Sequence, residues 1–120
     1  MEHELSAYYD ITHGVGLAIL TPRWMRYILN EHTVEKFAEY AKNVWGIAEK
    51  ADLFETANAG IDATEEFLKS LEIPMTLSEV GITEEHFTEM AEHAVIFGGL
   101  SEAYVPLKAV DVVNIYRMCM

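Results

Sequence analysis

The sequence predicts an all-α protein, a bundle of five or six helices. Apolar residues recur at three- and four-residue steps along most of the 120-residue chain, which is the spacing of one face of an α-helix. No segment alternates apolar and polar residues with the two-residue period of a strand, and no Asn-Gly or Asp-Gly pair marks a hairpin. The length suits a single domain, so we expect residues 1–120 to form one.

The clearest predicted helix covers residues 34–45. Thr33 is the expected N-cap, and Gly46 is the expected C-terminal stop. Six apolar residues share one face of this helix, so we expect them to be buried. They are Val34, Phe37, Ala38, Ala41, Val44 and Trp45.

A second helix is expected to begin near Asp52, which forms a capping-box pattern with Glu55. Gly60 lies in the middle of this helix, where a glycine weakens it and indicates a close contact with another helix. Pro74 ends the segment, because a residue that precedes proline avoids the helical conformation.

The segment TLSEVGIT, residues 76–83, predicts one short helical turn and a connector. Thr83 is expected to cap a further helix that Gly98 and Gly99 end, and a last helix follows Pro106. The apolar face of the helix after Thr83 consists of Phe87, Met90, Ala91, Ala94 and Phe97.

The first thirty residues are apolar on almost every side, which is typical of a central, buried helix. Thr12 is placed to start a helix at His13, and Pro22 is expected to kink or restart it. Without further partners these residues would expose a large apolar patch, and self-association is the simplest way to cover it. We therefore expect a homo-oligomer.

Composition excludes several classes of partner. The chain has 8 basic and 20 acidic residues, a formal charge of -12, which repels the phosphates of nucleic acids and anionic lipids. The longest apolar run, Gly14 to Leu20, is too short to span a membrane. Cys119 is the single cysteine, so no intrachain disulfide forms, and no signal peptide opens the sequence. We expect a cytoplasmic location.

His3 and His13 are the first candidates for chemistry. If His13 lies in the first turn of its helix, the helix dipole favours its neutral form, which is the form that binds metal. Their spacing matches no standard zinc signature, so spacing alone favours packing or supporting roles. Glu89 and His93 are i, i+4 neighbours, but a solvated acidic face is the favoured interpretation there.

The opening residues carry a resemblance to a known family. EHELSAYYDITHGVGLAILTPRWM, residues 2–25, resembles the histidine motif of the iron-containing alcohol dehydrogenases, in particular their butanol dehydrogenase-like branch. The segment GIDATEEFLKSLEIPMTLSEVGIT at 60–83 and LKAVDVVNIYRM near the C-terminus are also similar. The resemblance covers essentially the whole chain, and the histidine motif is its most specific part.

The resemblance implies a two-domain enzyme. In that family an N-terminal α/β domain binds NAD(P), and a helical C-terminal domain holds iron or zinc with one aspartate and three histidines. His13 matches the last histidine ligand, and His3 matches a histidine of the active-site pocket that is not itself a ligand. The other ligands and the glycine-rich cofactor segment have no counterpart in these 120 residues.

Three hypotheses follow. In the first, the chain is the C-terminal helical part of an NAD(P)-dependent alcohol dehydrogenase that acts on a small alcohol or aldehyde, inactive alone and without a tightly bound cofactor. In the second, it is a free-standing, non-catalytic helical module that self-associates through its apolar N-terminal helices. In the third, His13 residues of two copies, alone or together with His3, rebuild a metal site across a two-fold axis. Whether the isolated chain is an enzyme stays open.

Overall fold

A computed structural model describes all residues from 1 to 120, and it is all-α, as predicted. The helices are α1 (Glu2–Tyr9), α2 (His13–Ile28), α3 (Val34–Trp45), α4 (Leu53–Ser70), α5 (Phe87–Gly98) and α6 (Ala109–Met118). Short 3-10 turns cover Ser78–Val80, Glu84–His86 and Leu100–Glu102. None of the helices is both long and apolar enough to cross a membrane.

The chain divides into two compact units, and the division falls inside α2. The first unit combines Met1–Arg23 with Pro74–Met120, and the second is Trp24–Ile73. The first therefore contains α1, the beginning of α2, α5 and α6, and the second contains the end of α2 with α3 and α4. The expectation of one domain concerns independent folding and stays a prediction.

Close packing of α3 on α4 forms the second unit. A Cβ atom added at Gly60 would lie 2.6 Å from the Cβ of Ala41 and 2.9 Å from its Cα. The two backbones approach this closely because α4 has no side chain at that point. The helix contact predicted from Gly60 is therefore present, and Ala57 and Ile61 are fully buried beside it.

The ends of α3 fall where the sequence places them, but two details differ. Gly46 adopts φ 63° and ends the helix, and its N–H donates to the carbonyl of Lys42 over 3.1 Å. The Thr33 hydroxyl does not cap α3, because it donates to the carbonyl of Ile28 over 2.8 Å. Val44 is 60% exposed rather than buried, whereas the ring of neighbouring Trp45 lies 5.8 Å from that of Phe67 in α4, tilted by 51°.

The start of α4 is also as predicted, with a simpler cap. The Asp52 carboxylate accepts a hydrogen bond from the backbone N–H of Phe54 over 2.9 Å. The reciprocal bond of a capping box, from the side chain of Glu55, does not form. At the C-terminal end of α4, Leu71 follows the last helical residue and is 52% exposed.

In the first unit, α5 packs on α6 and α1 through one apolar face. Phe87 and Met90 are buried, and the ring of Phe87 lies 5.2 Å from that of Tyr116 in α6. The prediction for Phe97 is wrong, because this side chain is 78% exposed. It lies in the last turn, one residue before the Gly98–Gly99 end of α5, beyond the part of the face that the neighbouring helices cover.

The first thirty residues form two helices, α1 and α2, separated by a break at Asp10, whose φ is 52°. Leu5 and Ile19 are fully buried within the unit, and Leu17 is the only large apolar residue of this segment with substantial exposure. The expected N-terminal apolar patch is therefore wrong. These helices already have partners in the C-terminal part of the chain: the Tyr116 hydroxyl, for example, donates to the carbonyl of Met1 over 2.8 Å.

α2 does not restart at Pro22 but continues through it to Ile28, so this part of the prediction is wrong, and the kink stays a prediction. Neighbouring side chains supply donors to the carbonyls of the preceding turn. The Thr21 hydroxyl donates to the carbonyl of Leu17 over 2.6 Å, and Arg23 donates to that of Ile19 over 2.9 Å. Neither bond replaces the one that Pro22 removes, which would have run to the carbonyl of Ala18.

We expect Gly60→Ala to destabilise the chain by about 1–3 kcal/mol, because the new methyl group would overlap the backbone of Ala41. Urea unfolding followed by circular dichroism measures the change. Gly14→Ala is the matched control, since a Cβ there meets no atom within 4 Å, and alanine favours a helix interior. Equal stabilities for the two variants would contradict the close contact.

Candidate functional site

His13 lies at the first position of α2 with its imidazole pointing into solvent. The helix starts here because the carbonyl of Thr12 accepts the N–H of Gly16 over 3.1 Å. The side chain is 71% exposed, yet its Nδ1 atom contacts the Oε2 atom of Glu2. The other ring nitrogen, Nε2, has no hydrogen-bond partner. The imidazole is therefore held at one nitrogen and free at the other.

Glu2 is the buried member of its pair with His13. Its side chain is only 5% exposed, and its second carboxylate oxygen accepts a hydrogen bond from the Ser6 hydroxyl one turn later in α1. Gly16 leaves the space that the carboxylate fills, because a Cβ there would lie 2.4 Å from the Oε1 atom of Glu2. Residues of α1 and α2 thus enclose the carboxylate from both sides.

His3 lies elsewhere on α1 and lines a small cavity of about 210 Å³. The walls of this cavity are formed by Met1, His3, Glu4, Ala94, Phe97 and Gly98. They combine an imidazole and a carboxylate with apolar groups from the end of α5. A small molecule with one polar end and a short apolar chain matches this lining.

Neighbouring residues hold the walls of the cavity. The Nδ1 atom of His93 lies 3.6 Å from the Oε2 atom of Glu4. The ring of His93 meets that of Phe97 edge-on, with centroids 5.7 Å apart. The side chain of Glu4 is only 11% exposed. Its carboxylate therefore lies largely buried between α1 and α5, next to His3 in the sequence.

The acidic residues of α5 form a separate cluster around Tyr8. The Tyr8 hydroxyl donates to Glu89 over 3.3 Å, and His86 lies 3.8 Å from the same carboxylate oxygen. Desolvation, followed by this hydrogen bond, raises the pKa of Tyr8. Glu89 and His93 both approach Tyr8, and the ring centroids of Tyr8 and His93 lie 6.4 Å apart. The side chain of Glu89 is 65% exposed, and the solvated acidic face stays a prediction.

The described residues contain no group of three histidine, cysteine or acidic side chains that would hold a metal together. His13 and Glu2 contribute one imidazole and one carboxylate at most. Protein metal sites of the catalytic type usually take three protein ligands. A metal bound at His13 would therefore need ligands from outside these 120 residues.

Cys119, near the C-terminus, is not built for nucleophilic chemistry. The side chain is fully buried in the first unit, and its Sγ atom lies 3.7 Å from the carbonyl oxygen of Ile19. Burial raises the pKa of the thiol to about 12. The thiol therefore stays protonated at neutral pH, which removes the reactive thiolate.

Sequence reasoning considered the histidines and missed Glu2. The signal was present, because Glu2 and Ser6 are i, i+4 neighbours, and Gly16 follows His13 at i+3. What the sequence did not show is that the break at Asp10 folds α2 back so that Gly16 faces Glu2.

Comparison with known proteins gives a consistent result. The family model described as "Fe-containing alcohol dehydrogenase family, C-terminal" matches residues 1–120. NADH-dependent butanol dehydrogenase A of Clostridium acetobutylicum is 53% identical over 118 residues, 98% of this chain. The crystal structure of NADH-dependent butanol dehydrogenase A from Thermotoga maritima superposes with a TM-score of 0.79 at 32% identity over 98% of the chain. That of a 1,3-propanediol oxidoreductase gives 0.86 at 29% identity over 99%.

These relatives are much longer proteins. The chain spans 30% of the Clostridium enzyme and 31% of each of the two solved structures. The similarity therefore covers one part of each relative, and what the remaining two thirds do in those proteins lies outside the residues compared.

We expect Cys119 to resist alkylation in the folded chain. With a pKa of about 12 in place of the ordinary 9.0, its thiolate fraction at pH 8 is roughly a thousandfold below that of an unfolded thiol. The raised pKa stabilises the fold fully below pH 9.0, and this contribution is lost as the pH rises towards about 12. Iodoacetamide labelling with and without urea measures the difference, and equal rates would contradict it.

Proposed function

Because the chain belongs to the Fe-containing alcohol dehydrogenase family, we propose that it contributes the metal-ligand histidine and the substrate pocket of an NAD(P)-dependent alcohol dehydrogenase. It is the C-terminal helical part of such a protein. The observation that carries the proposal is His13, exposed at the start of α2 with one ring nitrogen held by Glu2 and the other free.

The residues around His13 fit a divalent metal ion, either iron or zinc. Metal-bound histidines usually donate their second ring nitrogen to a carboxylate or a carbonyl, and Glu2 provides such a carboxylate. A bound metal supplies Lewis-acid polarisation of the alcohol oxygen. His13 would be one ligand, and the other ligands that the family resemblance implies, an aspartate and two histidines, would come from outside these residues.

The cavity beside His3 is the proposed substrate pocket. Ala94 and Phe97 offer an apolar wall for a short alkyl chain, and the His3 imidazole is the group placed to exchange a proton with the substrate hydroxyl. The names of the relatives fit a small alcohol or aldehyde, since they refer to butanol and 1,3-propanediol.

Self-association without catalysis is the second candidate. It is favoured by the apolar side chains that the first unit leaves exposed near the ends of α5 and α6, namely Ile96 at 69%, Phe97 at 78% and Val110 at 61%. We therefore expect the chain to self-associate through these residues instead of through its N-terminal helices. Sedimentation that shows a monomer across micromolar concentrations would argue against this candidate.

His13→Ala should weaken the tightest Zn²⁺ binding of the chain by more than about tenfold, since losing a direct ligand costs at least as much as losing its supporting partner. Competition with a weak chelator measures the affinity. His32→Ala is the matched control, because His32 is 84% exposed and pairs only with neighbouring Glu31. A loss of equal size in both variants would contradict a specific role for His13.

The isolated 120-residue chain should not oxidise butanol with NAD or NADP. No dinucleotide site is expected among its six helices, and its residues bring no complete ligand set together. Nicotinamide absorbance in the presence of Zn²⁺ or Fe²⁺ measures turnover, with the chain treated with a strong chelator as the control. Metal-dependent reduction of the cofactor by the purified chain would contradict the proposed division of roles.

A further inference from the structure

Glu2 is an unusual residue to find enclosed. Ionised glutamates are almost never buried unless other groups compensate the loss of water. Its side chain is 5% exposed, and no lysine or arginine forms an ion pair with it. The compensating groups are the Ser6 hydroxyl on one oxygen and the Nδ1 atom of His13 on the other.

The fold makes a specific place for this carboxylate. A Cβ atom at Gly16 would lie 2.4 Å from Oε1, 2.5 Å from Cγ and 2.8 Å from the carboxyl carbon of Glu2. Gly16 is needed for space rather than for its conformation, because its φ is not positive. It lies one turn after His13 on α2, so the same stretch of helix carries the imidazole and the notch that receives its partner.

This arrangement decides which ring nitrogen carries the hydrogen. An ionised carboxylate only accepts hydrogen bonds, so the Nδ1 atom of His13 must donate. In a neutral imidazole, Nε2 then keeps a bare lone pair. That atom belongs to a ring that is 71% exposed and has no partner within the chain, so it faces whatever approaches from outside.

We propose that Glu2 is a positioning residue, which fixes the tautomer and orientation of His13 so that Nε2 is presented to the metal. The inference rests on the proposed function of His13 as a ligand and adds a supporting residue, with Gly16 as the feature that seats it. Ser6 holds the second carboxylate oxygen and thereby keeps Glu2 from turning away.

The test uses the nitrogen-labelled 120-residue chain without metal. Long-range proton–nitrogen correlation spectra, recorded at about pH 8.5 where an ordinary imidazole is neutral, report which ring nitrogen of His13 carries the hydrogen. We expect hydrogen on Nδ1 in the parent chain. A parent chain with its hydrogen mainly on Nε2 would overturn the inference without any variant.

Two substitutions remove the carboxylate in different ways. Glu2→Ala deletes it, and Gly16→Ala keeps it but displaces it, because a methyl group would occupy its place. Both should shift the hydrogen of His13 towards Nε2 and weaken Zn²⁺ binding roughly tenfold. Gly14→Ala, on the same helix, meets no atom within 4 Å and should change neither.

The outcomes separate this inference from the proposed function. If Glu2→Ala and Gly16→Ala leave the tautomer of His13 unchanged in folded chains, the positioning role is wrong, whatever His13→Ala does to the metal. If His13→Ala leaves Zn²⁺ affinity unchanged, the ligand role itself is wrong. A purely structural role for Glu2 would lower stability in both variants without changing the tautomer, and this result also overturns the proposal.

Discussion

The enclosed carboxylate of Glu2 is the constraint on which the candidate site depends. A carboxylate with so little access to water must be satisfied by nearby donors, and here the donors come from two helices. Ser6 follows it in α1, while His13 and the notch at Gly16 belong to α2. Satisfying one charge thus fixes how α2 returns along α1 after the break at Asp10.

Helix α1 contributes both to the surroundings of His13 and to the cavity beside His3. Glu2 and His3 are adjacent in α1, so the residue that holds His13 is next to the residue that lines the cavity. Glu4 then connects α1 to His93 of α5. A change in the position of α1 would therefore alter the proposed ligand His13 and the proposed substrate pocket together.

The second unit has a different character. It contains none of the candidate site residues and is stabilised by the close α3–α4 contact at Gly60. Within it, Arg26 donates to the carboxylates of Asp62 and Glu65 over 2.8 Å and 2.7 Å. All the candidate site residues lie in the first unit.

Local sequence signals predicted most of the fold, and the errors share one cause. The α3 boundaries and the cap at Asp52 depend on nearest neighbours along the chain, so periodicity and capping rules found them. The burial expected for Phe97 was wrong, as was the restart expected at Pro22, because each depends on tertiary contacts that periodicity does not specify. Burial of Glu2 was missed for the same reason.

The family could be recognised from residues 2–25, whereas the site geometry could not. The motif indicated His13 and His3 as candidate site residues, and their roles stay predictions. It does not reveal that a carboxylate from the preceding helix selects one nitrogen of His13, because that depends on the turn at Asp10 and on the space left by Gly16.

In the proposed site, His13 offers Nε2 to a metal while Glu2 holds Nδ1. Anomalous X-ray scattering from crystals of the chain soaked in Zn²⁺ would show which atom binds the ion. We expect a zinc ion beside Nε2 of His13, with the Glu2 carboxylate still against Nδ1. A zinc ion bound at Nδ1, with Glu2 displaced or itself serving as the ligand, would contradict it.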